Sequence, residues 1–194
     1  MTLQPIKKHN FDEVYDSQKV YRLILEAMCD PGKAVSIQEY ADKLYGEYPG
    51  IFSVALTLLD NEVSFHVCGD DSLSEEIASL TYSKRERIED ADYIFVCDLG
   101  YMEHVIENAK SGTLADPHKG ATVIIQNDGA PSRRLSLSGP GIDGQAGILL
   151  TQAAKGAIAI RDALDHEYPQ GIDVLLVSGT GALLAIPRLI KVVE

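Results

Sequence analysis

Apolar residues recur along this chain at two spacings. Val20, Leu23, Ile24, Ala27 and Met28 fall at i, i+3, i+4, i+7 and i+8, so residues 17–30 are predicted to form a helix with one apolar face. Asp16 or Ser17 can cap its start, and Pro31-Gly32 stops it. Residues 50–59 are a second apolar segment of helical character, closed by an Asp60-Asn61 turn. Val63, Phe65 and Val67 then alternate with Glu62, Ser64 and His66, which predicts a strand with one dry and one wet face. Ser72-Leu73-Ser74-Glu75 fits a capping box and opens a helix through about Thr81.

The second half alternates in the same way. Tyr93 to Cys97 is a continuous apolar run, the pattern of a strand buried on both faces. A short helix is predicted from Tyr101 to Lys110, with Gly112 as its stop. Val123-Ile124-Ile125 reads as another buried strand, and Leu135 and Leu137 between serines as a more exposed one. Leu150, Ala153, Ala154, Ala157 and Ile158 share one face of a long helix predicted over 148–166. Asp173–Ser178 and Ala182–Ile186, joined by Gly179-Thr180-Gly181, read as an antiparallel hairpin. Interleaved helices and strands together with hairpins predict a three-layer α/β/α fold with a mixed sheet. No repeat or linker divides it, so residues 1–194 are expected to form one domain.

Composition narrows the chemistry. Lys plus Arg number 17 and Asp plus Glu 29, a net charge of −12. A field of that sign repels phosphate backbones and argues against nucleic-acid binding. No apolar run approaches a membrane span, and Met1–Asn10 has no apolar signal region, so neither membrane nor secretion is expected. Cys29, Cys68 and Cys97 are odd in number and form no CxxC, which fits a reduced, cytoplasmic compartment. Cys68 and Cys97 lie in strand-like runs and read as buried free thiols. The scattered histidines show no ligand spacing, so no metal site is expected.

Gly139-Pro-Gly141-Ile-Asp-Gly144 matches GxGxxG, the turn of dinucleotide-binding folds. The preceding strand alternates with polar residues, Gly144 and Gly147 delay the following helix, and Asp173 begins its strand rather than ending it. A structural turn is the better reading. The segment from Lys110 to Thr122 is the more unusual one. Ser111, Gly112, Thr113, Pro117 and His118 gather turn residues, donors and an imidazole in one connection between a helix and a buried strand. Arg188 could complete a polar concavity there and bind an anion. The bland alternative is that Asp116-Pro117 turns the chain, His118 bonds backbone, and Arg188 sits in a surface salt bridge. No catalytic residue is assigned.

Five segments, in order, carry a family resemblance: FDEVYDSQKVYRLILEAMCDPG (11–32), ALTLLDNEVSFHV (55–67), SGTLADPHKGATVII (111–125), LSGPGI (137–142) and YPQGIDVLLVSGTGALLAIPR (168–188). Together they resemble the PhnH family, the H component of the carbon–phosphorus lyase system. Leu189-Ile190 stand where family members tend to carry Thr-Thr after the Pro-Arg pair. The resemblance implies a cytoplasmic protein of phosphonate catabolism with a fold similar to the large domain of pyridoxal-phosphate-dependent transferases, without their cofactor. It implies a homodimer that assembles with subunits G, I and J. With G, I and L it supports transfer of a phosphonate to the ribose of a purine nucleoside triphosphate, with release of the base. It implies no separate catalytic activity. Lys119 precedes a strand and Lys155 lies mid-helix, so neither suits a Schiff base. The alternative is an independent small-molecule or nucleotide-binding enzyme using the Gly-rich turn or the 111–122 loop.

Overall fold

The computed structural model describes residues 9–130, 133–164 and 166–193; most of the Met1–Asn10 segment lies outside them. In chain order the elements are α1 (Tyr15–Cys29), β1 (Val35–Ser36), α2 (Gln38–Ala41), α3 (Pro49–Leu58), β2 (Ser64–Cys68), α4 (Asp71–Thr81), β3 (Lys84–Arg85), β4 (Tyr93–Val96), α5 (Met102–Asn108), β5 (Thr122–Gln126), β6 (Arg133–Ser138), β7 (Ala146–Leu150), α6 (Gln152–Ala163), β8 (Asp173–Val177), β9 (Ala182–Ile186) and β10 (Lys191–Val193).

Seven strands form one mixed sheet in the order β1-β9-β8-β5-β4-β2-β3. From β3 to β8 they run parallel; β9 and β1 are added antiparallel, and β8–β9 is the expected hairpin. Alternation along the central strands sends side chains to both faces. Phe95, Ile124 and Leu175 join one core with Val20 and Ile24 of α1, Ile51 of α3 and Ile77 of α4. Ile94, Val96, Val123, Ile125, Val174 and Leu176 join the other with Val105 of α5 and Ala157 and Ile158 of α6. The continuous apolar runs are therefore strands covered on both sides, as a parallel sheet requires.

The helix starts differ from those the sequence predicted. Asp12 accepts from the N–H groups of Val14 and Tyr15 at 2.9 and 2.8 Å and so opens α1. Asp16 is instead buried and held by Lys43 at 2.7 Å. Asp70, not Ser72, caps α4, accepting from the Leu73 N–H at 2.9 Å. α5 stops at Asn108, before Gly112, which serves a later turn.

The largest correction concerns 133–151. A second, antiparallel sheet forms in the order β10-β6-β7. Leu135 and Leu137, expected to be more exposed, are buried, and with Ile148 and Leu150 they pack into the α5–α6 core. Ile148 and Leu150 follow the two-residue period of a strand. The helix predicted from 148 begins only at Gln152, because the Thr151 hydroxyl caps it by accepting from the Ala154 N–H at 3.2 Å. Lys155 thus lies in the first turns of α6 rather than mid-helix. The GxGxxG segment joins β6 to β7, with positive φ at Gly139, Gly141 and Gly144. A strand rather than a helix follows it, so no helix N-terminus stands there to receive a pyrophosphate.

Burial pushes the Cys68 thiol up to about 11 and, assisted by the nearby Asp70 carboxylate, the Cys97 thiol up to about 12. Cys29 is exposed. Ellman's reagent at pH 8 is therefore expected to modify one thiol in the native chain and three after denaturation. Rapid labelling of Cys97 without unfolding would contradict this packing.

Candidate functional site

The 110–122 connection is a pinched loop. The Ala121 N–H donates to the Lys110 carbonyl at 2.7 Å, and Ser111 bridges Gly120 across the neck. Gly112 has φ +78°, and a Cβ there would stand 2.8 Å from the Pro117 carbonyl oxygen. The loop needs glycine at that point to fold back on itself. Thr113 ties the far end: its N–H donates to the Asp116 carbonyl at 3.2 Å and its Oγ1 accepts from the Asp116 N–H at 2.9 Å. Residues 117–119 form a short 3₁₀ turn, where Lys119 pairs with Asp116 at 3.1 Å and His118 is exposed.

Arg188 does come to this loop, on its inner side. Its Nη1 donates to the Pro117 carbonyl. Its Nε stands 3.2 Å from both oxygens of Asp173, its Nη2 stands 2.5 Å from Oδ2, and its backbone N–H donates to Oδ1 at 2.8 Å. Both side chains are largely buried. The charge expected to attract an anion is thus neutralised by a carboxylate at the start of β8. It stitches the loop to two strands, more deeply than the surface salt bridge the sequence offered as the alternative.

Behind Arg188, segment 170–172 separates the loop from a cavity of about 330 Å³. Gln170 Nε2 donates to the Gly112 carbonyl at 3.0 Å, and the Gly171 N–H to the Ser111 carbonyl at 2.9 Å. The cavity lining includes Arg188, Arg161, Asp162, His166 and Lys191, but not Ser111, Gly112, Thr113, Pro117 or His118. The structure therefore brings Ser111, Gly112, Pro117 and Arg188 into one hydrogen-bonded unit, turns His118 outward, and places the open cavity on the opposite side of the wall.

Arg161 is the residue that sequence reasoning missed. It stands on the buried face of α6 with Ala154, Ala157 and Ile158. Its Nη1 donates to the carbonyls of Ile186 at 2.9 Å and Pro187 at 3.3 Å. Its Nη2 donates to the Ile190 carbonyl at 2.6 Å and, like Nε, to Asp162 Oδ1. A cation in register with an apolar stripe was the available signal. Among the described residues no group of three or more His, Cys, Asp or Glu side chains converges as metal ligands, and no helix is long and apolar enough to cross a membrane.

Comparison with known proteins places these features. A Stutzerimonas stutzeri protein described as a candidate C-P lyase subunit, HtxG, is 23% identical over 163 residues, covering 84% of this chain and 78% of that protein. Residues 9–193 match the family described as bacterial phosphonate metabolism protein (PhnH). That match takes in both sheets, the pinched loop and the cavity, and the chain belongs to the PhnH family of bacterial phosphonate metabolism proteins.

Proposed function

We propose that this protein is a non-autonomous subunit of the carbon–phosphorus lyase machinery. In that role it supports attachment of a phosphonate to the ribose of a purine nucleoside triphosphate with displacement of the base. The observation that carries the reading is the family match across 9–193. The likeness to a candidate C-P lyase subunit supports it. The polar chemistry points the same way: Arg188 and Arg161 are each engaged by a carboxylate and by backbone carbonyls, so their charges hold strands and loops in place. On this reading the chain works in the cytoplasm as a homodimer, in contact with subunits G, I and J and acting with L. Its scaffold is that of the large domain of pyridoxal-phosphate-dependent transferases, used without the cofactor. The 111–118 loop, with exposed Thr113 and His118 on its outer side and Arg188 behind, is the segment assigned to contact a partner or its substrate.

Affinity purification of the tagged full chain from cells grown on a phosphonate as sole phosphorus source tests this. Recovery of G, I and J in fixed stoichiometry is expected. Sedimentation of the isolated chain is expected near twice its 21.1 kDa mass. A chain recovered alone that turns over a small-molecule substrate by itself would support the independent-enzyme alternative instead.

A further inference from the structure

The cavity between the end of α6, segment 166–172 and the stretch 188–191 is lined by other residues than the outer 111–118 loop. We propose that it binds a small organic anion carrying an apolar body, of about the size of one substituted ring. Three observations converge on that class.

The first is charge. Arg161, Arg188 and Lys191 line the cavity, against Asp162 in the lining and Asp173 behind Arg188. Three cations against two carboxylates leave a positive excess, in a chain of net charge −12. The two guanidiniums are each paired with a carboxylate, Asp162 and Asp173, so the excess rests on Lys191. Lys191 is different: its Nζ stands 3.7 Å from Asp162 Oδ1, and its side chain is more than half exposed at the rim. It is free to turn toward an incoming anion without breaking a short hydrogen bond.

The second is an orphaned atom. His166 lines the cavity, and its Nε2, closed off from solvent, has no hydrogen-bond partner among the described residues. An unsatisfied buried polar atom is destabilising, and turning the ring into the cavity would bring it to a bound ligand. In its Nε2–H tautomer the imidazole then donates to an anionic oxygen.

The third is size and lining. A volume of about 330 Å³ falls at the small end of ligand pockets. Leu164, Ile172 and Leu189 give it an apolar wall. An inorganic ion would leave that wall wetted, a cation would meet the positive excess, and a neutral ring would leave Lys191 and His166 unanswered.

The experiment is a titration of the ¹⁵N-labelled full chain, followed by amide shifts, with benzoate, phenylphosphonate, inorganic phosphate and benzylammonium. Benzoate or phenylphosphonate should shift amides of 166–172 and 188–191, and which binds more tightly identifies the headgroup. Benzylammonium should not shift them, and phosphate should bind at least about tenfold more weakly than the preferred aryl anion. K191Q should weaken aryl-anion binding about tenfold. H166F keeps a ring in place and removes the orphaned nitrogen, so it should weaken binding to a similar extent while leaving the melting temperature unchanged or higher. No shift with either aryl anion, equal binding of benzylammonium, phosphate binding as tightly as the ring compounds, or parental affinity in both variants would each overturn the proposal. None of these outcomes bears on recovery with G, I and J, so the two readings fail separately.

Discussion

Replacing Arg161 by Met should destabilise the fold by about 3–5 kcal/mol, the usual effect of removing one partner from a buried, hydrogen-bonded charge pair. The guanidinium side chain is only 3% exposed. Three carbonyls, of Ile186, Pro187 and Ile190, lose the Arg161 donor in the variant, with Pro187 keeping the Ile190 N–H at 2.9 Å, and all lie in the stretch from the end of β9 to the start of β10. Among the described residues, Asp162 would keep only the Lys191 ammonium at 3.7 Å and a long bond from the Val192 N–H at 3.3 Å. Methionine fills much of the same space, so the loss would come from unpaired polar groups rather than from a void. Arg161→Lys retains the charge but cannot span Asp162 and three carbonyls at once, and an intermediate loss is expected. Urea denaturation gives the answer: the midpoint should fall in the order parent, Lys, Met, with the slope unchanged. A Met variant within about 1 kcal/mol of the parent would show that these bonds are replaceable by solvent.

The same residue shows where sequence reading succeeded and where it stopped. α1, α3, the central strands and the closing hairpin were legible because each carries its own period: Val20-Ile24-Ala27 at helical spacing, and Ile94-Phe95-Val96 as a strand with a helix layer on either side. The 146–158 region was not, because two periods overlap there. Ile148 and Leu150 are spaced as a strand, Ala154, Ala157 and Ile158 as a helix, and Leu150 fits both. Thr151 decides between them through a cap, a local hydrogen bond that apolar spacing does not record. β10 and β1 are too short for any period to emerge; they exist because β6 and β9 offer them an edge.

The candidate site divides in the same manner. Glycine, proline and hydroxyls marked the 111–120 connection correctly as a special loop, since those residues express local backbone needs. Which way its charges point is a tertiary fact. Arg188 meets Asp173 only because β8 and β9 pair as a hairpin, which brings together residues fifteen positions apart. The cavity behind it draws on α6, segment 166–172 and the approach to β10, and no single stretch of sequence announces it.

Gly120→Ala should be the most damaging single-methyl change in the loop, and His118→Ala among the least. A Cβ on residue 120 would stand 2.4 Å from the Gly171 carbonyl oxygen and 2.8 Å from Arg188 Nη1. Neither neighbour can yield easily. The Gly171 N–H is tied to Ser111 at 2.9 Å, and the guanidinium is held by Asp173 and the Pro117 carbonyl. Forced apart, the neck of the loop and the ion pair would strain together, at a cost of about 2–3 kcal/mol. His118 is exposed, and its removal should stay within about 0.5 kcal/mol of the parent. The pair then separates architecture from contact. If the outer loop meets a partner or its substrate, His118→Ala leaves folding and self-association intact but lowers nucleoside phosphonylation by this chain reconstituted with G, I and L. If His118→Ala is fully active and Gly120→Ala loses activity only in proportion to its lost stability, the loop is a strut between β5 and β8, and the contact surface lies elsewhere.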